Sequence, residues 1–176
     1  MLSRVTMPSR KISSRMSWVV ASSLVFGFTL LVPSFAMAQL TYDSAGEQHI
    51  LDLANQARAQ AGLPPLKLDP GLTAAARQHS ARMAAQQKLT HDFPGEPELP
   101  VRLAAKVAAP LTAEGENVGY APTVERSQQA FMDSPHHRAN LLDVNFNVVG
   151  FGVVRSGRML YVTQDFAQIA KPSSGK

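Results

Sequence analysis

The nine residues from Ser134 to Leu142, SPHHRANLL, place the strongest local constraint on how this chain folds. Ser134 is a favourable N-cap, since its hydroxyl can accept a hydrogen bond from a free backbone N–H at the start of a helix. Pro135 suits the first helical position because it has no N–H to leave unpaired. The stretch therefore predicts a short helix that begins at Pro135, and Ser134→Ala is expected to cost about 1 kcal/mol of stability.

Two neighbouring histidines, His136 and His137, occupy the first turn of that helix. Adjacent helical residues point about 100° apart, so only one of the two faces a given cavity. The helix dipole at this end disfavours an added proton and keeps such a histidine neutral near pH 7. A neutral imidazole is the form that ligates a metal or acts as a general base. His91 and Glu116 are two further candidates for this chemistry.

The first 38 residues have the pattern of an export signal. Four basic residues and no acidic residue precede an apolar run, and Ala36-Met37-Ala38 is a small-residue cleavage site. The apolar run is shorter than the roughly 20 residues that span a bilayer, and an uncleaved membrane anchor is the alternative. We predict a signal peptide at residues 1–38, translated from Met1 or Met7, and a secreted or periplasmic mature chain beginning at Gln39.

The charge of the chain belongs largely to this leader. The full sequence has 17 Lys+Arg against 13 Asp+Glu and a net charge of +4, and the leader holds four of the basic residues. The mature chain is therefore formally neutral, which gives no support to nucleic-acid binding. It has no cysteine and so no disulfide, and its stability must come from a packed core. Its length fits one domain, predicted at residues 39–166, followed by a disordered tail at residues 167–176.

Other helix starts in the chain also combine a capping side chain with a periodic apolar segment. Ser44, followed by Glu47 three residues later, indicates a capping box, and Gly62 indicates the end of that helix. Asp69-Pro70 and Thr123 predict the starts of two further helices.

Turns and one hairpin are predicted after the second helix. Gly115 and Gly119 indicate turns on either side of Glu116. Residues 147–155 and residues 159–166 have the composition of two strands joined by a Ser-Gly turn, which predicts an antiparallel hairpin.

Six short motifs, in this order and spacing, resemble the CAP superfamily of cysteine-rich secretory, antigen 5 and pathogenesis-related proteins, in the form of a bacterial, secreted, cysteine-free SCP-like domain. The motifs are Asn55–Arg58 with Gly62–Leu66, Leu72–Met83, Leu89–His91, Gly115–Asn117, Ser134–Leu142 and Val149–Gly152. The resemblance covers residues 47–166. It implies an α+β fold, a three-layer α-β-α sandwich with a small antiparallel sheet between helices.

The resemblance also implies a site. In the family, two histidines and two glutamates line a cavity. Their positions correspond here to His91, Glu116 and His137, while Ser134 stands where the second glutamate would be. Two histidines and a carboxylate are a ligand set for catalytic zinc, so zinc is the candidate metal and cofactor. The alternative is a hydrogen-bonded network that holds three loops together. His79, on an apolar helical face, is interpreted as a core residue with one hydrogen bond.

Three functions are compatible with this resemblance. The first is an exported binding module whose cleft, with His91, Glu116, His137 and Ser134, holds a lipid, sterol or glycan. The second is a zinc-dependent hydrolase of peptide or envelope substrates, and the third is an interaction protein that acts through surface loops. The missing carboxylate would be the natural general base for a zinc-bound water, and its absence favours binding over catalysis. The sequence decides neither whether the chain is an enzyme nor its oligomeric state.

Overall fold

The computed structural model describes residues 40–170, which form five helices and five strands. Along the chain they are β1 (Thr41–Tyr42), α1 (Ser44–Gln60), β2 (Lys67–Leu68), α2 (Pro70–Gln86), α3 (Leu99–Ala104), β3 (Leu111–Ala121), α4 (Val124–Asp133), α5 (Pro135–Leu141), β4 (Val148–Ser156) and β5 (Met159–Ile169). None of these helices is long and apolar enough to cross a membrane. The predicted leader, its cleavage site and residues 171–176 lie outside the described residues.

The sheet is built on the β4–β5 hairpin that the sequence predicts. Its strand order is β1-β4-β5-β3, and β2 adds a short parallel pairing to β4. The hairpin closes at the Ser156–Met159 pair, and Gly157 in the turn adopts a φ of +60°. β3 pairs antiparallel with β5 and is therefore an edge strand.

Helices cover both faces of this sheet, so the predicted α-β-α sandwich is confirmed. One face packs α2 and α3 against apolar side chains such as Val118, Val154 and Ala167. The other face packs α1, α4 and α5 against a larger cluster that includes Phe151 and Phe166.

Two glycines of β4 set how closely α2 approaches the sheet. A Cβ on Gly150 would lie 2.1 Å from the backbone carbonyl carbon of Leu72, and one on Gly152 would lie 2.3 Å from that of Ala76. Real Cβ contacts do not reach such distances, so α2 rests with its backbone directly on β4. This close packing fixes the distance between α2 and the sheet.

A buried arginine joins α1 to the segment that follows α5. Arg58 is 1% exposed. Its guanidinium donates hydrogen bonds of 2.8 to 3.3 Å to the carbonyl oxygens of Pro64, Leu141, Asp143 and Phe146. Every one of these acceptors is a backbone carbonyl, so the side chain satisfies the end of α5 and the loop after it.

Two sequence-based predictions about strands are wrong. Residues around Gly115 and Gly119 form the continuous strand β3 rather than turns. Their missing side chains admit the rings of Phe146 and Phe131, which a Cβ would approach to 3.0 and 2.7 Å. The sheet also extends beyond the predicted domain boundary at residue 166. β5 continues to Ile169 with Ala167 buried, so residues 167–169 belong to the fold and not to a disordered tail.

The helix starts agree with the sequence in part. Asp69 and Thr123 cap α2 and α4 with their side chains, as predicted. The N-cap of α1 is Asp43 rather than Ser44, and Glu47 pairs with Arg77 of α2 instead of closing a capping box. α5 does begin at Pro135 after Ser134, but the Ser134 hydroxyl makes no capping hydrogen bond.

These differences predict unequal effects of removing two caps. Asp69→Ala should lower the free energy of unfolding by about 1 kcal/mol, because Asp69 Oδ1 accepts a 2.8 Å hydrogen bond from the N–H of Leu72. Ser134→Ala should change it by less than about 0.5 kcal/mol, which revises the cost predicted from the sequence. Urea unfolding of both variants provides the measurement. Equal losses would contradict the observed geometry of the α5 start.

Candidate functional site

The first predicted site contact is present between His91 and Glu116. β3 holds Glu116 on the face towards α2, where its side chain is 2% exposed, whereas that of His91 is 52% exposed. The His91 Nδ1 lies 2.8 Å from Glu116 Oε1. A carboxylate accepts, so Nδ1 carries the proton and the solvent-facing part of the ring presents Nε2. This arrangement orients a histidine for binding or proton transfer.

Glu116 is also held from inside the protein. Arg102 of α3 donates to Glu116 Oε2 through Nη2, and its Nη1 lies 3.5 Å from Oε1 of Glu96. The side chains of Arg102 and Glu96 are each 7% exposed. Charges this deeply buried persist only when they are paired, so Arg102 and Glu116 depend on one another.

His79 is a core residue, as predicted, but it has more partners than the one hydrogen bond expected. Its side chain is fully buried, with Nδ1 3.0 Å from Glu96 Oε1 and Nε2 2.9 Å from the carbonyl oxygen of Thr90. Nε2 is also 3.9 Å from Glu116 Oε2. His79 therefore links α2 to the segment before His91 and belongs to the same charged network.

Asp165 of β5 is a member of this network that sequence reasoning missed. It pairs in register with Glu116, is fully buried, and neither carboxylate oxygen has a hydrogen-bond partner among the described residues. Burial, reinforced by the negative charge of Glu116, raises its pKa well above the usual 3.8, although Arg102 opposes this. The sequence does contain a signal for this residue, because Asp165 is the one carboxyl residue in a stretch whose other residues are apolar or neutral.

His137 approaches β3 from the opposite face of the sheet. Its ring packs edge-on against Phe131 with 5.2 Å between centroids, and its carbonyl oxygen accepts a 3.0 Å hydrogen bond from Asn117 Nδ2. Side chains alternate along a strand, so Asn117 and Glu116 point to different faces of β3. The two histidines thus flank the edge strand at this point. His136 is exposed, which agrees with the prediction that only one of the two faces inward.

Side-chain amides fix the position of α5 against β3. Asn140 Nδ2 donates to the carbonyl oxygen of Glu116 at 3.2 Å and to Asn117 Oδ1 at 2.9 Å. Asn117 in turn donates to Gln164 Oε1 at 3.0 Å, and Gln164 Nε2 lies 3.3 Å from Gln128 Oε1. This chain of amides holds the first turn of α5, and with it His137, beside the backbone of Glu116.

The residues predicted to bind zinc do not form a metal-binding group in this arrangement. Within residues 40–170, no three His, Asp or Glu side chains are placed so that they could hold a metal ion. Glu116 is already engaged by Arg102 and His91, and His137 lies across the strand. The geometry therefore does not fit the three-ligand set, and zinc binding stays a prediction.

The pKa values of His91 and His137 should lie on opposite sides of the ordinary histidine value. The hydrogen bond to Glu116 raises the pKa of His91 above 6.5, while burial and the nearby His91 and His136 lower that of His137 below 6.5. Histidine C2-proton NMR against pH measures both values. The stability that His91 gains from Glu116 should be present below its unfolded pKa and lost as pH rises through its folded pKa. His137, whose pKa is lowered on folding, should cost no stability above its unfolded pKa and should destabilise the fold as pH falls through its folded pKa. Equal midpoints would contradict this assignment.

Comparisons with known proteins agree with this architecture. Residues 51–166 match the model of the cysteine-rich secretory protein family. The chain is 33% identical over 124 residues to the uncharacterized protein YkwD of Bacillus subtilis, covering 70% of this chain and 47% of that protein. It thus spans about half the length of this curated relative.

Two solved structures show the same fold. An extracellular SCP-domain protein from Bacillus anthracis superimposes with a TM-score of 0.66 at 30% identity, covering 72% of this chain and 41% of that one. An outer surface protein from Borrelia burgdorferi has a TM-score of 0.70 at 15% identity, covering 76% of this chain and 100% of that one.

Proposed function

Because the chain belongs to the cysteine-rich secretory protein family, we propose that it is an exported binding module whose ligand lies in a cleft between His91 and His137, beside the buried Glu116 and near Ser134. Export is supported by the leader pattern and by a relative described as extracellular. The observation that carries the binding proposal is the pair of imidazoles at one point of an edge strand, one of them oriented by a buried carboxylate.

The chemistry of this cleft suits a ligand with hydroxyl groups. With Nδ1 bonded to Glu116, the neutral His91 ring offers Nε2 as an acceptor, and protonation turns it into a donor. A hydroxyl group can pair with either form. A sterol, a lipid headgroup and a glycan all carry hydroxyls, so the three ligand classes share this contact.

Histidine NMR distinguishes the three ligand classes and tests the cleft itself. The probes are a soluble fluorescent sterol, phosphatidylglycerol vesicles and an oligosaccharide of N-acetylglucosamine. We expect one of them to shift the ring signals of His91 and His137, and to leave that of His49, on α1 and paired with Glu125, unchanged. If no probe moves His91 and His137, or if His49 moves equally, the cleft is not the binding site.

The zinc-dependent hydrolase remains the second candidate, favoured by one observation. A histidine whose Nδ1 is held by a carboxylate presents Nε2 in the way that metal-ligating histidines do. In that role Glu116 orients His91 and is not itself a ligand, and the ring of His137 packs on Phe131 at the other face of the sheet.

A zinc titration of the melting temperature separates these candidates. We expect no rise in the wild-type melting temperature, because the predicted carboxylate ligand, Glu116, is committed to Arg102 and His91. A rise that His137→Ala abolishes and His136→Ala retains would instead establish a metal site by mass action. Weaker zinc stabilisation at lower pH would support the same conclusion, since only neutral imidazole ligates.

A further inference from the structure

A second cleft lies at the end of the sheet where β4 begins and β5 ends. Its volume is about 570 Å³. Small-molecule sites in proteins typically have volumes of about 300–1,000 Å³, so the cleft can hold such a ligand. Its lining combines the segment after α1, residues 144–148 between α5 and β4, and residues 168–170 at the end of β5. None of these residues belongs to the histidine cleft of the proposed function.

The walls of this cleft are largely apolar. Val144 is 68% exposed, and Pro64 and Pro65 are also exposed. Phe146, a further lining residue, is buried, and its ring stacks on Phe166 of the core with 5.6 Å between centroids. An apolar ligand placed here would remove this surface from water and would rest on a wall that the core supports.

Two cations belong to the lining of the cleft, and no carboxylate does. The cations are Arg58 and Lys67. Within residues 40–170, neither of them forms an ion pair. The neighbouring carboxylate of Asp143 accepts hydrogen bonds of 2.8 and 2.9 Å from the backbone and side-chain nitrogens of Asn145. The cleft therefore has a positive charge that the protein itself leaves without a counter-ion.

The hydrogen bonds of Arg58 also leave one donor over. A guanidinium has five N–H groups, and the four bonds to backbone carbonyls leave one N–H of Nη2 without a partner in the described part of the chain. Burial lowers the pKa of Arg58 below its ordinary value, and the charge of Asp143 opposes this effect. A buried cation without a counter-ion carries a desolvation cost, which an anion bound beside it would reduce.

We propose that this cleft binds a small monocarboxylate with an apolar body. The carboxylate pairs with Lys67 and accepts from the remaining N–H of Arg58, while the apolar body covers Val144 and the two prolines. A carboxylate suits this set because its two oxygens match an ammonium and one guanidinium N–H. A phosphate group would bring a further charged oxygen against apolar walls, which is costly. The proposal goes beyond the proposed function, because it places a second ligand at a separate site.

Amide NMR of the nitrogen-15-labelled protein provides the test. The probe is naphthalene-2-carboxylate, titrated to about 5 mM, because a ligand of this size binds with roughly millimolar affinity. We expect saturable shifts of the amide signals of Lys67 and residues 144–148, and no shift of the ring signals of His91 and His137. Two matched probes should each bind about tenfold more weakly, since naphthalene-2-methanol lacks the charge and acetate lacks the apolar body.

Matched variants assign the contacts without changing Arg58, whose hydrogen bonds hold the fold. Lys67→Met should weaken binding of the probe about tenfold, whereas Lys88→Met, at an exposed lysine outside the lining, should not. Val144→Asp should weaken it by a similar factor, because it places a like charge in the cleft. Its control is Val101→Asp at a valine of α3 that is 60% exposed. Urea unfolding checks that each variant is folded.

Four outcomes would overturn the proposal. The first is the absence of saturable shifts at Lys67 and residues 144–148. The second is equal binding of the neutral alcohol, which would show that the cations do not recognise the ligand. The third is a shift of the His91 and His137 signals alone, which would place the carboxylate in the histidine cleft. The fourth is a tenfold gain in affinity when the chain is ended at Ala170, which would identify residues 171–176 as the occupant.

Discussion

Arg102→Ala should lower the free energy of unfolding by about 3–5 kcal/mol, one of the two largest effects expected here. The substitution removes the cation that contacts Glu116 Oε2 and leaves a carboxylate with a 2% exposed side chain uncompensated. Glu96 loses one of its ion-pair partners at the same time. Urea unfolding measures the loss, and Arg158→Ala, at an exposed position in the hairpin turn, is the matched control with no expected effect.

A double substitution separates the effect of losing the ion pair from the effect of losing side-chain packing. Arg102→Met with Glu116→Leu keeps the volumes similar and removes both charges, so it should be more stable than Arg102→Ala. A loss below about 1 kcal/mol for Arg102→Ala alone would show that Glu116 does not depend on this cation. His91 offers a second readout, because removing the positive charge of Arg102 should raise the pKa of His91 further.

Gly152→Ala should be comparably damaging, with a loss of at least about 3 kcal/mol or failure to fold. The added Cβ would meet the backbone of Ala76 at 2.3 Å, and a helix backbone cannot rotate out of the way as a side chain can. α2 would have to lift from β4 and carry His79 away from Glu96. Thermal and urea unfolding give the magnitude.

The control for this prediction is another glycine in the same sheet. A Cβ on Gly119 would meet the tip of the Phe131 ring at 2.7 Å, and that ring can shift. Gly119→Ala should therefore cost less than Gly152→Ala. The reverse order would show that α2 moves more easily than the close packing implies. Since Phe131 contacts His137, Gly119→Ala should also alter the His137 ring signal.

The sequence predicts this fold well wherever local chemistry decides the structure. Asp69 and Thr123 cap helices because their side chains reach N–H groups within the same first turn. The β4–β5 hairpin likewise depends on residues that are close in the chain. β3 was missed because glycines, considered locally, indicate turns. In this strand Gly115 and Gly119 instead leave room for the rings of Phe146 and Phe131, which come from distant segments of the chain.

The candidate site could be predicted only in part for the same physical reason. The family resemblance placed His91, Glu116 and His137 together, and the first two are in contact. It gave no indication of Arg102 or Asp165, whose roles arise from a short helix and a strand register that are set by the whole fold. Ser134 occupies the predicted N-cap position, but it also ends α4 through its own N–H, and its hydroxyl makes no cap.

The four carbonyl contacts of Arg58 have a consequence for where this protein can be stable. Three of them join α1 to a segment more than 80 positions later in the chain, a span that many exported proteins bridge with a disulfide. A guanidinium cross-link needs no oxidant to form and no reductant breaks it. The connection therefore holds equally on either side of a membrane that separates a reducing from an oxidising compartment.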